Sequence, residues 1–188
     1  MKLSTHFSLE ELTHSDTAVS LGIDNLPNED QTDCLKNLCD FILEPIRESF
    51  GVPFSPNSGF RSQSLNKALG GSSSSQHLDG KAADIEISSV DNKELALWIR
   101  DHLDFDQLIL ERYNGGVDSG WVHVSFNGTS NRGDVLRFDG DSYHFGIEEE
   151  EVPMMRSRDK LFIVRNCLRD VVSHWRFKYD RFYNGKHW

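Results

Sequence analysis

The chain has 188 residues, of which 37% are hydrophobic and 27% are charged, so it can bury a core and form one globular domain with appendages or a small second domain. Its formal net charge of -10 argues against a nucleic-acid-binding protein and against simple electrostatic adhesion to an anionic surface. No apolar run approaches the roughly 20 residues of a membrane span, so we expect no transmembrane helix.

The first predicted element is a short helix that follows Ser8. Ser8 and Glu11 have the spacing of a capping box, in which two side chains satisfy the first backbone N–H groups of a helix. We expect Phe7, Leu9 and Leu12 to pack this helix against the rest of the protein.

A long amphipathic helix is predicted over residues 29–50, with Asn28 as its N-cap. Pro45 falls inside this segment and should kink or split the helix, and Gly51 should end it. The apolar residues recur at spacings of three and four, as on the buried face of a helix; they are Leu35, Leu38, Phe41, Ile42, Ile46 and Phe50.

Three strands are predicted in the middle of the chain, over residues 81–87, 104–111 and 120–127, and the last two form a hairpin. The alternation of apolar and polar residues places Asp84 and His123 on the polar faces of their strands. If the strands pair with these faces aligned, Asp84 and His123 come together above the sheet, and Glu111 stands at a strand end beside the same surface.

The character of the sequence changes after residue 127. We expect a hairpin around Gly140, a solvated linker or helix start at the acidic run 148–151, and a helix around residues 159–175. The predicted organisation is therefore a domain over residues 1–127 and a C-terminal extension over 128–188 whose role stays open. The predicted fold class is α+β, with helices flanking a small, mostly antiparallel sheet.

A metal site is one interpretation of the polar residues in this pattern. His77 and Asp84 are seven residues apart, and a turn at Gly80 between them can bring both side chains to one ion. Catalytic zinc takes three protein ligands and leaves one position for water, and His123 is the best candidate for the third ligand. Glu111 would then be a free carboxylate that accepts a proton from water. On spacing alone, a hydrogen-bonded structural histidine and a strand-edge aspartate remain alternatives.

Three ordered segments resemble one known family. The pattern Ser75-x-His77-x-x-Gly80-x-Ala82-x-Asp84 meets every fixed position of the motif of the zinc D-Ala-D-Ala carboxypeptidases. That family includes vancomycin-resistance dipeptidases and phage L-alanyl-D-glutamate endolysins, and it shares its fold with the Hedgehog signalling domain.

The resemblance extends over about residues 6–127. The segment "WVHVSF" is similar to the family's second histidine-bearing segment. The segment "SGFRSQSLN" is similar to its substrate-side segment, with Phe60 in place of the usual tyrosine. The N-terminal "FSLEELTHSDTA" resembles the phage and prophage branch of the family.

The resemblance implies a role for each of five residues. His77, Asp84 and His123 match the ligands of Zn²⁺. Arg61 matches an arginine that holds a substrate carboxylate or polarises the scissile carbonyl, and Ser75 matches a residue that hydrogen-bonds substrate. The alternatives are a salt bridge at a helix start for Arg61 and a capping role in the loop for Ser75.

The general base is the one position at which the sequence departs from many relatives. They carry it as Glu-x-x-His, three residues before the last ligand, where this chain has Gly120. Glu111 is the remaining candidate, and Asp118 is the next one. If neither carboxylate reaches the reacting water, the protein would bind zinc and ligand without turnover.

The resemblance implies a zinc metallopeptidase. We expect a phage-type lysin that hydrolyses peptidoglycan stem peptides as a D-Ala-D-Ala carboxypeptidase or an L-Ala-D-Glu endopeptidase. The alternative is a catalytically inactive, zinc-containing peptidoglycan-binding or virion structural module. The N-terminal "MKLSTHFSLEELTHSD" lacks the apolar core of a signal peptide. We therefore expect a protein made in the cytoplasm that acts on the cell wall after release or as a virion component. We also expect it to be a monomer.

Overall fold

The computed structural model describes residues 1–116 and 119–147 of the chain. Met1–Glu148 form one compact unit. The acidic run 148–151 and the helix predicted over residues 159–175 lie outside the described residues. No helix in the described ranges is long and apolar enough to cross a membrane.

The described residues contain α-helices and β-strands in an order that confirms the predicted α+β class. The helices are α1 (Leu9–Thr13), α2 (Asp16–Leu21), α3 (Glu29–Leu38), α4 (Glu44–Phe50), α5 (Gln63–Ala68) and α6 (Asn92–His102). The strands are β1 (Ala82–Ile85), β2 (Gln107–Glu111), β3 (Trp121–Ser125), β4 (Asp134–Phe138) and β5 (Tyr143–Phe145). Short 3-10 turns cover Gln76–Asp79 and Gly128–Ser130.

The five strands form one sheet in the order β1-β3-β2-β4-β5. The predicted hairpin of β2 and β3 is confirmed, and so is the predicted hairpin of β4 and β5 around Gly140. In the antiparallel pair of β1 and β3, Asp84 lies directly opposite His123, as the alternation predicted. Strand β4 pairs in parallel with β2, so residues of the predicted extension belong to the same sheet as the rest of the domain.

The two faces of this sheet have different environments. One face packs on the helices and forms the core with alternate residues of β1, β2 and β3, which are Ala83, Ile85, Leu108, Leu110, Val122 and Val124. The other face carries Asp84, His123 and Glu111 and forms the floor of a cleft. The sheet therefore separates the apolar core from the polar surface on which chemistry can occur.

The long helix predicted over residues 29–50 is split near Pro45. Because Pro45 has no N–H group, it is tolerated in the first turn of α4 but not in a continuous helix. A π-helical turn over Cys39–Leu43 precedes α4, and its wider hydrogen bond joins the Glu44 N–H to the Cys39 carbonyl. Phe41 lies within this turn. The prediction of a buried Phe41 is wrong: the side chain is 56% exposed and stacks on Phe126.

The N-terminal segment is joined to α4 by one buried carboxylate. Glu44 is 9% exposed and accepts hydrogen bonds from Ser4 Oγ at 2.6 Å and from the His6 backbone N–H at 2.7 Å. His6 Nδ1 lies 2.6 Å from its second oxygen. Burial alone would raise the pKa of Glu44, but the hydrogen bonds from His6 and Ser4 outweigh it and hold the pKa below 4.5.

Replacing Glu44 by glutamine is expected to lower the free energy of unfolding by about 2 kcal/mol at pH 7, because hydrogen bonds to a charged acceptor are lost. The folded-state pKa of Glu44 lies below its unfolded value, so this stabilisation is present above pH 4.5 and is lost as the pH falls through the folded pKa. Urea unfolding at pH 7 and at pH 3 measures both effects. The exposed Glu48 of the same helix provides the control, since Glu48→Gln should change stability by less than about 0.5 kcal/mol. An equal loss for Glu44→Gln at both pH values would contradict the ionic origin of the effect.

Candidate metal centre

Three side chains of metal-ligand type converge at the floor of the cleft. His77 Nε2 lies 3.2 Å from Asp84 Oδ1 and 3.2 Å from His123 Nδ1. His123 Nδ1 lies 2.9 Å from Asp84 Oδ1. All three residues are buried, at 2% (His77), 8% (Asp84) and 7% (His123) exposure. Among the described residues they form a group of side chains that could hold a metal ion.

The spacing of these three atoms fits a tetrahedral zinc site. Zinc binds histidine nitrogen and carboxylate oxygen at about 2.0–2.2 Å, which places neighbouring ligand atoms of a tetrahedron about 3.3 Å apart. The three observed separations, 2.9 to 3.2 Å, are close to that value. Three ligands of a tetrahedron also leave one position for water or substrate, as in catalytic zinc sites.

His77 is placed by a turn and oriented by a backbone carbonyl. It lies in the 3-10 turn Gln76–Asp79, which ends at Gly80 in the left-handed conformation, with φ of 69°. A Cβ at residue 80 would also overlap the backbone of α3, so glycine is required here. His77 Nδ1 lies 2.6 Å from the Gly59 carbonyl oxygen. A proton on Nδ1 donated to that carbonyl leaves Nε2 with its lone pair toward the cluster. Burial lowers the pKa of His77, which favours the neutral imidazole that a metal needs.

Asp84 is fixed by hydrogen bonds to its backbone and to its carboxylate. Its backbone pairs with Ser58, whose carbonyl accepts the Asp84 N–H at 2.8 Å. Its second carboxylate oxygen, Oδ2, accepts a hydrogen bond from Arg61 Nη2 at 2.5 Å, so Oδ1 remains for the cluster. Burial opposes ionisation of Asp84, but its interactions with His77 and His123 outweigh burial and hold its pKa well below the usual range. The carboxylate is therefore ionised.

Arg61 lies at the start of α5, directly before its N-cap Ser62, and makes a salt bridge to the second oxygen of this carboxylate, as one of the two alternatives for this residue predicts. Its Nε donates to Ser58 Oγ at 2.8 Å, and its side chain is 16% exposed. Arg61 also lines the cleft, where part of its guanidinium can meet a substrate. Ser75 lines the same cleft, and its side chain makes no capping hydrogen bond to the turn that follows it.

Glu111 ends β2 beside the metal-ligand cluster. The cleft has a volume of ≈ 690 Å³, and its lining includes Glu111 together with His77, Asp84 and His123. Glu111 lies opposite Trp121 in the β2–β3 pair, two residues along each strand from the Ile109–His123 pair, and therefore on the same face as His123. Burial, followed by the negative charge of Asp84, raises the pKa of Glu111. A carboxylate with a raised pKa is a better proton acceptor than an ordinary surface glutamate.

Gly120 accounts for the absence of a glutamate three residues before His123. Its φ of 69° lies in the left-handed region, and a Cβ at this position would overlap the Glu111 carbonyl oxygen. A glutamate at position 120 therefore does not fit without a shift of the backbone. Asp118, the second candidate for the base, lies outside the described residues.

Several residues that line the cleft, or that bind its lining residues, have no counterpart in the sequence predictions. Asp106 is 2% exposed and accepts hydrogen bonds from Gln76 Nε2 at 2.9 Å and from Arg132 Nη2 at 2.6 Å, which ties the His77 turn to the start of β4. Phe138 and Tyr143 extend the floor of the cleft on β4 and β5. The alternating pattern of residues 134–138 signals a strand, but nothing in it indicates a parallel partner.

The part of the chain that builds this site matches a known family. The family model described as Peptidase M15 matches residues 5–125, which include Arg61, Ser75, Glu111 and the three members of the metal-ligand cluster. A comparison with curated proteins finds no match. Since the matched segment covers more than half of the 188 residues and agrees with the resemblance seen in the sequence, the chain belongs to the Peptidase M15 family.

Proposed function

We propose that the protein is a zinc-dependent peptidase that hydrolyses the stem peptides of peptidoglycan. The observation that carries this proposal is the placement of Glu111 and Arg61 in one cleft with a His77–Asp84–His123 cluster whose spacing suits zinc. Membership of a peptidase family supports the same reaction class. The residues assigned as zinc ligands are His77, Asp84 and His123.

Zinc bound by these ligands would supply a Lewis acid that polarises the scissile carbonyl and lowers the pKa of water. Glu111 accepts the proton of the attacking water and returns it to the leaving amine, which is the task of a general base followed by a general acid. Arg61 holds Asp84 through Oδ2 and offers its remaining N–H groups to the substrate carbonyl or a terminal carboxylate. Ser75, on the rim, donates a hydrogen bond to the peptide.

The substrate is an acidic peptide, and the cleft has the cations to receive it. Arg61, Arg112 and Arg132 line the cleft, where Arg61 pairs with Asp84 and Arg132 pairs with Asp106. The guanidinium N–H groups that these ion pairs do not use can donate hydrogen bonds to the carboxylates of a ligand. The bond cut is D-Ala-D-Ala or L-Ala-D-Glu, in a lysin of phage type that works on the cell wall as a monomer.

Digestion of purified peptidoglycan sacculi tests this function. We expect the protein to release peptides whose masses identify the bond cut, and we expect a chelator to abolish release and added Zn²⁺ to restore it. Unchanged sacculi, together with measurable binding of zinc and of muropeptides, would instead identify a catalytically inactive binding module.

A further inference from the structure

The cleft continues beyond the part of the chain that matches the family. The family match ends at residue 125, whereas Leu136, Phe138 and Tyr143 of the cleft belong to β4 and β5. These strands therefore add a wall to the cleft that the family match does not cover. A wall next to the reacting groups can determine which substrates the cleft accepts.

Strand register places this wall in line with Glu111. Glu111 pairs with Trp121 on one side and with Phe138 on the other, and Phe138 pairs with Tyr143. The four residues thus form one row across the sheet on the cleft side. Since neighbouring strands are about 4.8 Å apart, Tyr143 lies about 10 Å from Glu111 along the row.

The two aromatic rings of this row pack against each other, and Tyr143 presents its ring to solvent. The ring centroids of Phe138 and Tyr143 are 4.6 Å apart, and Tyr143 is 61% exposed. Among the described strands, β5 lies at the edge of the sheet, where an extended polymer can be accommodated more easily than in an enclosed pocket. Exposed aromatic surface that continues from a polar cleft is typical of a ligand-binding groove.

The chemistry of a stem peptide limits what can occupy this surface. Its residues carry methyl, carboxylate and amine groups, and none of these presents a broad face to an exposed aromatic ring. The amino sugar to which the peptide is attached does present such a face, through the C–H groups of its ring. Aromatic side chains with a polar tip, such as tyrosine, suit a partner that is both apolar and polar.

We propose that Phe138 and Tyr143 form a stacking subsite for a sugar ring of the glycan strand, which rests on the proposed function. The sugar is separated from the L-Ala carbonyl by one residue of about 3.5 Å and a lactyl group of similar length. That total of about 7 Å is comparable with the distance from Glu111 to Tyr143. The carbonyl of a scissile D-Ala-D-Ala bond is separated from the sugar by four residues and the lactyl group, which is about 17 Å by the same count. The subsite therefore selects the L-Ala-D-Glu bond of glycan-linked peptides.

The test compares two substrates with the same peptide, a disaccharide-tetrapeptide and the free tetrapeptide. We expect wild-type kcat/KM for cleavage of L-Ala-D-Glu to be about tenfold higher on the disaccharide-peptide, which corresponds to about 1.4 kcal/mol. Tyr143→Ala should reduce this ratio to near one, whereas Tyr143→Phe, which keeps the ring, should retain most of it. Phe41→Ala, which removes an exposed aromatic side chain that does not line the cleft, should keep the wild-type ratio.

The possible failures are distinguishable. Cleavage of both substrates by the wild type with a ratio near one overturns the subsite and leaves the peptidase assignment in place. A Tyr143→Ala variant that loses kcat/KM equally on both substrates also overturns it, because the ring would then act on the reaction rather than on the sugar. If the wild type cleaves neither substrate, nor sacculi, the proposed function itself fails.

Discussion

Replacing Glu111 by glutamine is expected to lower kcat by about 10²–10⁴-fold while metal binding is retained. Glutamine has nearly the same shape but cannot accept a proton from water, so the loss reports on proton transfer. Glu111 is not a member of the metal-ligand cluster formed by His77, Asp84 and His123, and zinc content should therefore stay at the wild-type level. Single-turnover hydrolysis of a muropeptide and metal analysis of the purified variant measure the two quantities.

The pH dependence of kcat/KM for the wild-type protein should also report on proton transfer by Glu111. Only the ionised form of Glu111 accepts a proton, so kcat/KM rises with pH through the pKa of this group. Burial and the charge of Asp84 raise that pKa, which moves the acidic limb above the value of 4.5 for an ordinary glutamate. In Glu111→Gln this limb should disappear from the residual activity.

A glutamate outside the cleft provides the control for Glu111. Glu94 is exposed in the first turn of α6, and Glu94→Gln should keep both wild-type activity and the wild-type pH profile. Full activity in Glu111→Gln would move the base to Asp118, the other carboxylate proposed for this role.

The positions of Asp84 and His123 on one face of the sheet could be predicted from the sequence, because they follow from the alternation of side chains along a strand. Alternation alone fixes which side chains share a strand face, so the pairing of Asp84 with His123 followed once the two strands were aligned. The capping box of Ser8 and Glu11 is likewise a short-range pattern, and the structure contains it.

The rest depends on contacts between distant parts of the chain. The parallel pairing of β4 with β2, which brings Phe138 beside Glu111, has no local signal because β3 lies between them in the sequence. The ion pair of Asp106 with Arg132 joins residues 26 positions apart. The π-helical turn over Cys39–Leu43 and the exposure of Phe41 within it also have no signal in the spacing of the apolar residues.

Zinc is expected to stabilise the wild-type protein against heat, and Asp84→Asn is expected to abolish this effect. A ligand that binds only the folded state at about 100 times its Kd adds about 2.7 kcal/mol, which corresponds to a rise in Tm of about 5–10 °C for a protein of this size. Asparagine keeps the shape of Asp84 but removes the negative charge that a zinc site uses. Thermal unfolding with and without zinc measures the difference.

Asp106 supplies a control, because it is a buried aspartate that lies outside the metal-ligand cluster. Each aspartate is buried and accepts a hydrogen bond from an arginine, Arg61 for Asp84 and Arg132 for Asp106, so each asparagine variant should lose stability without metal. Only Asp84 belongs to the metal-ligand cluster. Asp106→Asn should therefore keep the full zinc-dependent rise in Tm. If Asp84→Asn also kept that rise, zinc would bind elsewhere, and the assignment of the centre would be wrong.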